Sequence, residues 1–135
     1  MFPDTLLNSL PEPVLNQIKQ LDAEERLELF LQYTVKAKEV WVLIGESGYV
    51  MLESTDTISL PVWLHKDTVT LWERADMQPA TAQAVSLESF LTTWLPGLQN
   101  NETTLVIAPA GSDQPGMVLT ANELRDSLRE AGAPW

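Results

Sequence analysis

His65 is the only imidazole in this chain of 135 residues, which holds no cysteine. A zinc site needs about three or four ligands, and thiolate chemistry needs a cysteine, so the sequence predicts no metal site, no cofactor and no catalytic residue. Asp67 follows at a spacing that does not share a helical face with His65. We favour a partly buried histidine at a helix start, with one ring nitrogen bonded to the backbone. The open alternative is a general base beside a serine that the fold brings in.

Two glycine-containing stretches are candidates for a catalytic or an anion-binding loop. A nucleophile elbow places serine two residues after one glycine and two before the next, whereas Gly48 directly follows Ser47, which is typical of a hairpin turn. Residues 108–116, APAGSDQPG, could form a backbone nest for an anion. They lack a neighbouring Lys or Arg, so a surface turn is the favoured interpretation.

Tryptophan is the richest signal, with five in the chain. Trp41, Trp63, Trp72 and Trp94 fall on predicted strands or inward helix faces, which favours an aromatic core. The alternative is an aromatic groove where the strand carrying Trp63 ends, because ligand clefts and interfaces are rich in tryptophan. The candidate ligand or partner residues are Tyr49, Trp63, His65 and Trp72. Tyr49 and Trp63 are expected to be partly exposed, since both lie at strand ends.

Helical spacing predicts two helices in the N-terminal third. A capping box at Ser9 opens the first, and an acidic start at Asp22 opens the second. The apolar stripe of the first helix is Val14, Ile18 and Leu21. That of the second is Leu27, Phe30, Leu31, Thr34 and Ala37, opposite a polar face of Glu25, Glu28, Gln32 and Lys36.

After the second helix the pattern changes to β-branched and aromatic runs. Residues 39–45, 49–54 and 57–63 predict a three-stranded meander. Pro61 lacks an N–H group, so its strand is expected to lie at an edge or to end there. A helix starting near His65 would place His65, Val69 and Trp72 on one stripe against the sheet.

The C-terminal half adds a short strand at residues 83–85 and a helix capped by Ser86, which is expected to end by Leu95 because Pro96 follows. Short strands are predicted at residues 104–109 and 117–120. Thr120 opens a last helix, and Gly132 suits the position just beyond its end. The expected fold is α+β, a mostly antiparallel sheet packed against about five helices. We expect one domain over residues 1–135, with residues 1–21 as a loosely attached helical segment.

The charge balance limits the partners. Nineteen acidic and eight basic residues give a formal net charge of −11. This sign disfavours nucleic acid and anionic membranes, both of which attract basic proteins. The first residues lack a signal-peptide pattern, and no apolar run is long enough to span a bilayer. We therefore expect a bacterial cytoplasmic protein.

Several motifs resemble a family of small bacterial proteins classified as a domain of unknown function. They are the Val-Trp-x-Leu run from Val40, the Leu-Pro-Val-Trp-x-His run from Leu60, and Gly48-Tyr49, Trp72, Phe90 and Trp94-Leu-Pro96. The resemblance covers residues 25–132 and departs at Leu64, where the family usually has proline. Residues 60–63 and 106–112 also resemble, distantly, the N-terminal domain of enhanced-serine-sensitivity protein B. Neither resemblance implies an established activity.

Three functions follow as hypotheses. The leading one is a non-catalytic module that acts through a protein partner at the corner of residues 60–72; an immunity-like role against a basic toxin is one version. The alternative is a small-molecule binder or minor enzyme with a cleft near Trp63 and His65. The third is self-association through the strand ending at Pro61.

Overall fold

The computed structural model describes residues 12–45, 48–49, 51–53, 58–69, 81–108 and 117–133. The predicted cap at Ser9, the tryptophan at position 72 and the turn at residues 109–116 lie outside them. No helix among the described residues is long and apolar enough to cross a membrane.

Helices account for much of the described chain. They are α1 (Glu12–Gln20), α2 (Ala23–Ala37), α3 (Lys66–Val69), α4 (Leu87–Ser89), α5 (Leu95–Asn100) and α6 (Ala121–Glu130). A π-helical turn, Phe90–Trp94, joins α4 to α5, so these three segments form one helix from 87 to 100. The strands are β1 (Glu39–Gly45), β2 (Gly48–Tyr49), β3 (Leu52–Glu53), β4 (Ile58–Val62), β5 (Thr81–Ser86), β6 (Thr104–Ile107) and β7 (Met117–Leu119).

The predicted helix starts at Asp22 and Thr120 open α2 and α6, and each is a capping box. The Asp22 carboxylate accepts the Glu25 N–H at 2.8 Å, and the Glu25 carboxylate accepts the Asp22 N–H at 3.2 Å. Thr120 and Glu123 repeat the exchange at 3.1 and 2.8 Å. Each box satisfies two backbone donors that the first helical turn leaves unpaired.

The end of α6 also follows the prediction. Gly132 has a φ of 121°, which side chains rarely adopt, and its N–H donates to the carbonyl of Arg129 at 3.1 Å. The N–H of Ala133 donates to the carbonyl of Leu128 at 3.0 Å. Together these two bonds form a Schellman motif, which closes the helix on its own last carbonyls.

The strands form two sheets that are mostly antiparallel, as predicted. In one, β1 lies between β2 and β5. In the other the order is β3-β4-β6-β7, with β4 and β6 parallel and Ser59 bonded to Thr104 through their hydroxyls at 2.6 Å. The predicted three-stranded meander is divided between these sheets, because its middle strand, residues 49–54, is replaced by the two short strands β2 and β3. Alternation along the sequence also does not assign β5 to β1 or β6 to β4, because those pairings join residues far apart in the chain.

Pro61 lies in a strand that ends one residue later, at Val62, so the second of its two predicted alternatives is confirmed. The strand is not at an edge. The carbonyl of Val62 accepts the Ala108 N–H of the β6 side, whereas Trp63 bonds Trp41 on the other side. Because backbone groups alternate along a strand, the nitrogen of Pro61 points to the side of Trp63. No described residue on that side pairs with Pro61, so its missing N–H costs no ladder bond within the described part of the chain.

The helix from 87 to 100 passes Pro96 instead of ending by Leu95, so that predicted boundary is wrong. Ser86 caps its start by accepting the Ser89 N–H at 3.2 Å, as expected. Just before the proline the helix widens into the π-helical turn, in which the Leu95 N–H donates to the carbonyl of Phe90, five residues back. Proline in a regular helix clashes with the carbonyl four residues before it, and a π-helical turn is one way to absorb such a disturbance.

The core lies between the sheets and the helices, which makes this an α+β protein. Phe30 on α2, Phe90 in the π-helical turn and Leu124 on α6 are fully buried with the inward residues of β4 and β6. On α2 the buried face runs through Arg26, Phe30, Tyr33 and Thr34, so it is rotated from the predicted stripe. The predicted polar face of α2 is exposed.

Candidate functional site

The corner that follows β4 is enclosed. Trp63 is 0% exposed, so the expectation of partial exposure is wrong. Its N–H and carbonyl exchange hydrogen bonds of 2.8 and 2.9 Å with Trp41 of β1. This bridge is an antiparallel pairing between the two sheets, and it holds the Trp63 backbone in the interior. A position at a strand end does not predict exposure when another strand covers that end.

His65 is buried at 5% exposure and caps α3. Its Nδ1 accepts the backbone N–H of Asp67 at 3.0 Å, and its carbonyl accepts the N–H and hydroxyl of Thr68 at 3.1 and 2.6 Å. The ring of Tyr33 meets the imidazole edge to face, with centroids 6.1 Å apart. The predicted position at a helix start, with one ring nitrogen bonded to the backbone, is therefore confirmed, and His65 is more deeply buried than expected.

This geometry limits what His65 can do chemically. The Nδ1 lone pair is committed to a main-chain donor, while the Asp67 carboxylate lies 3.9 Å from the same nitrogen. A general base needs a free lone pair within reach of a substrate proton. Across the described part of the chain, no three His, Asp or Glu side chains are grouped so that they could hold a metal ion.

Tyr49 lies on the surface, as expected, at 41% exposure. It packs edge to face on Trp94 of the π-helical turn, with ring centroids 4.9 Å apart. Trp63 and His65 are enclosed while Tyr49 is exposed, so these three residues do not line one open surface. The fourth candidate, Trp72, lies outside the described residues.

The described surface instead has a groove between α1 and α2, with a volume of about 280 Å³. Ile18 is 3% exposed, while Val14, Leu21 and Leu29 are half-buried and present apolar surface. The lining residues are Val14, Gln17, Ile18, Leu21, Glu25, Glu28, Leu29 and Gln32. The spacing of Val14, Ile18 and Leu21 indicated an apolar helix face, but a groove appears only when α2 is placed beside it.

Arg26 fixes the turn that separates the two walls of this groove. It is 1% exposed, and its guanidinium Nη1 donates to the carbonyl of Leu21 at 2.7 Å. Burial lowers the pKa of Arg26, and the nearby Asp22 carboxylate opposes that shift. Arg26 is not among the functional residues predicted from the sequence. The available signal is its position four residues before Phe30, on the buried face of α2.

The charges along the groove have one sign. Glu25 and Glu28 are carboxylates, Gln17 and Gln32 are neutral amides, and none of the described lining residues is Lys or Arg. Glu28 is exposed at the rim. An apolar floor with an acidic rim can bind an apolar segment that carries positive charge beside it.

Comparison with known proteins places the chain in a family. No curated protein matches it. A family model described as "Protein of unknown function (DUF2750)" matches residues 27–128. This confirms the resemblance to a domain of unknown function, whereas the resemblance to enhanced-serine-sensitivity protein B stays a prediction. Helix α1 and the first turn of α2 precede the matched residues, so one wall of the groove lies outside them. Because the match spans more than half of its length, the chain belongs to the DUF2750 family.

Proposed function

We propose that this protein is a non-catalytic interaction module of the bacterial cytoplasm that acts by binding a protein partner. The observation that carries the proposal is the groove between α1 and α2, with its apolar floor and acidic rim. Partner sites combine an apolar centre with a polar edge, and the groove has both. The net charge of −11 would speed association with a basic partner.

Two other observations support a binding role over catalysis. The only imidazole is used as a helix cap, and the tryptophan beside it is part of the core. The alternative hypothesis, a small-molecule cleft near Trp63 and His65, stays a prediction that their burial does not favour. An immunity-like role against a basic toxin remains one version of the proposal, and self-association remains another form of partner binding.

The test is affinity capture from a native lysate with three baits: the wild-type chain, Glu28→Lys and Glu24→Lys. Both substitutions lie on α2 and change the net charge equally, but only Glu28 lines the groove. We expect at least one protein to be retained by the wild type and by Glu24→Lys and lost with Glu28→Lys. Its direct binding is then measured with purified components. Identical sets of captured proteins from all three baits would refute the proposal.

A further inference from the structure

The shape of the groove suits a helix. α1 and α2 are consecutive helices joined by the short turn at Leu21 and Asp22, and their facing sides form the two walls. The lining residues span eight positions on each wall, from Val14 on α1 to Leu21 just after it, and from Glu25 to Gln32 on α2. Seven steps of helical rise are about 10 Å. Two turns of a third helix have that length and present anchors at i, i+3 or i+4, and i+7.

The volume is sufficient for several side chains. An apolar cavity of about 150 Å³ accepts benzene, and this groove measures about 280 Å³. Ile18 closes the floor, while the half-buried Val14 and Leu29 leave apolar area uncovered on opposite walls. A nine-residue helix such as α1 is marginally stable alone, so filling the groove would also stabilise α1.

The charges select among the helices that would fit. A second copy of this chain would bring the same carboxylates and another net charge of −11, so two copies repel each other at this rim. Residues 1–11 of the chain itself are apolar in part but contain one aspartate and no Lys or Arg. A partner helix with Lys or Arg beside its apolar stripe complements Glu25 and Glu28.

We infer that the groove binds an amphipathic helical segment of a partner protein, with two or three large apolar anchors flanked by Lys or Arg. This inference rests on the proposed function and names the chemical class of the partner. The apolar anchors bind Val14, Ile18 and Leu29, and the basic residues bind the carboxylate rim. Residues 27–128 alone do not supply the α1 wall, so the whole chain is needed for binding.

The test uses two labelled helical peptides of about 15 residues, enough for four turns. They share one apolar stripe and differ only in carrying Lys or Glu beside it. Binding to the full chain is measured by fluorescence anisotropy at low and high salt. We expect the Lys peptide to bind at least about tenfold more tightly than the Glu peptide, with a difference that shrinks as salt screens the rim. Equal affinities would overturn the inference.

Matched variants locate the site. Glu28→Lys should lower the affinity for the Lys peptide about threefold to tenfold, while Glu24→Lys should change that affinity less than about twofold. Val14→Gln should lower the affinity for both peptides, because it removes apolar surface from the α1 wall of the groove. Equal effects of Glu28→Lys and Glu24→Lys would show that the peptide responds to the overall charge of the protein and not to the rim of the groove, and would overturn the inference. Circular dichroism confirms that each variant is folded.

Two other occupants are distinguishable outcomes, and each would overturn the inference. If residues 1–11 fill the groove, the full-chain variant Leu6→Gln/Leu7→Gln should bind the Lys peptide several-fold more tightly than the wild type. If a second copy fills it, light scattering should show a dimer that Val14→Gln dissociates. A captured partner that depends on Glu28 but has no basic helix would sink this inference and leave the proposed function standing. If no captured protein depends on Glu28, the proposed function itself fails.

Discussion

The main chains of Trp41 and Trp63 exchange two hydrogen bonds, from the Trp41 N–H to the Trp63 carbonyl at 2.9 Å and back at 2.8 Å. This pairing is the described bridge between the β2-β1-β5 sheet and the β3-β4-β6-β7 sheet. The Trp63 side chain is fully buried, while Trp41 is half-buried against the same core. Trp63, just after β4, thus has a structural role, since it joins the two sheets and is buried in the core.

Replacing Trp63 should therefore be severe. We expect Trp63→Ala to lower the free energy of unfolding by about 3–5 kcal/mol, because a large buried ring is lost and a cavity is left. Tyr49→Ala, at an exposed aromatic residue, should cost about 1 kcal/mol. Urea denaturation followed by circular dichroism measures both. Similar losses for the two variants would contradict the structural role given to Trp63.

His65 should behave as a helix cap. His65→Ala removes the acceptor of the Asp67 N–H and should lower the free energy of unfolding by about 1–3 kcal/mol. His65→Asn keeps a short side-chain acceptor and should recover part of that loss. Hydrogen exchange at the Asp67 amide is the specific readout: it should speed up in His65→Ala and less so in His65→Asn. Unchanged exchange in both variants would rule the cap out.

Arg26 should stabilise the α1–α2 turn. Arg26→Ala removes the bond to the Leu21 carbonyl together with a buried aliphatic stem, and should cost about 2 kcal/mol or more. Lys19→Ala on the exposed side of α1 should cost less than about 0.5 kcal/mol.

The lowered pKa of Arg26 indicates whether its buried charge stabilises or destabilises the fold. Desolvation lowers that pKa, so burying the charged guanidinium costs free energy at neutral pH. Arg26→Met, which keeps the stem and removes the charge, should therefore cost less than Arg26→Ala. Thermal unfolding compares Arg26→Ala, Arg26→Met and Lys19→Ala. A greater loss of stability for Arg26→Met than for Arg26→Ala would contradict this expectation.

Two glycines should respond to alanine with opposite signs. Gly132 has a φ of 121°, so Gly132→Ala should cost about 1–2 kcal/mol from backbone strain alone, since the added methyl meets Val35 at an ordinary 3.6 Å. Gly97 lies within α5 with open space around it, and Gly97→Ala should gain about 0.5–1 kcal/mol. Differential scanning calorimetry gives both signs, and a stabilised Gly132→Ala protein would refute the assigned backbone conformation.

Local features of the fold could be predicted because their causes lie within a few residues. The capping boxes at Asp22 and Thr120 and the helix end at Gly132 each depend on backbone groups about three residues away. The buried cap at His65 is equally local, since its partner is Asp67. The continuation of the helix past Pro96 was not predicted, because the π-helical turn before it depends on how the buried Phe90 and Leu95 pack.

The candidate site was harder to predict because it depends on contacts between distant residues. Trp63 was expected to be partly exposed since its strand ends there, and the strand that covers it comes from Trp41, twenty-two positions earlier. Tyr49 was correctly expected at the surface, but its contact with Trp94 was not foreseen.

The sequence by itself determined the α+β class, the absence of cysteine, the acidic charge, the helix starts at Asp22, Ser86 and Thr120 and the helix end at Gly132, because these follow from composition and short-range spacing. Only the tertiary structure decided which aromatic rings are enclosed and where an open apolar surface remains. The groove between α1 and α2 exists because two helices, each with an ordinary apolar stripe, meet at a turn held by Arg26 without filling the space between them. The spacing of apolar residues along one helix does not predict how far apart two helices lie.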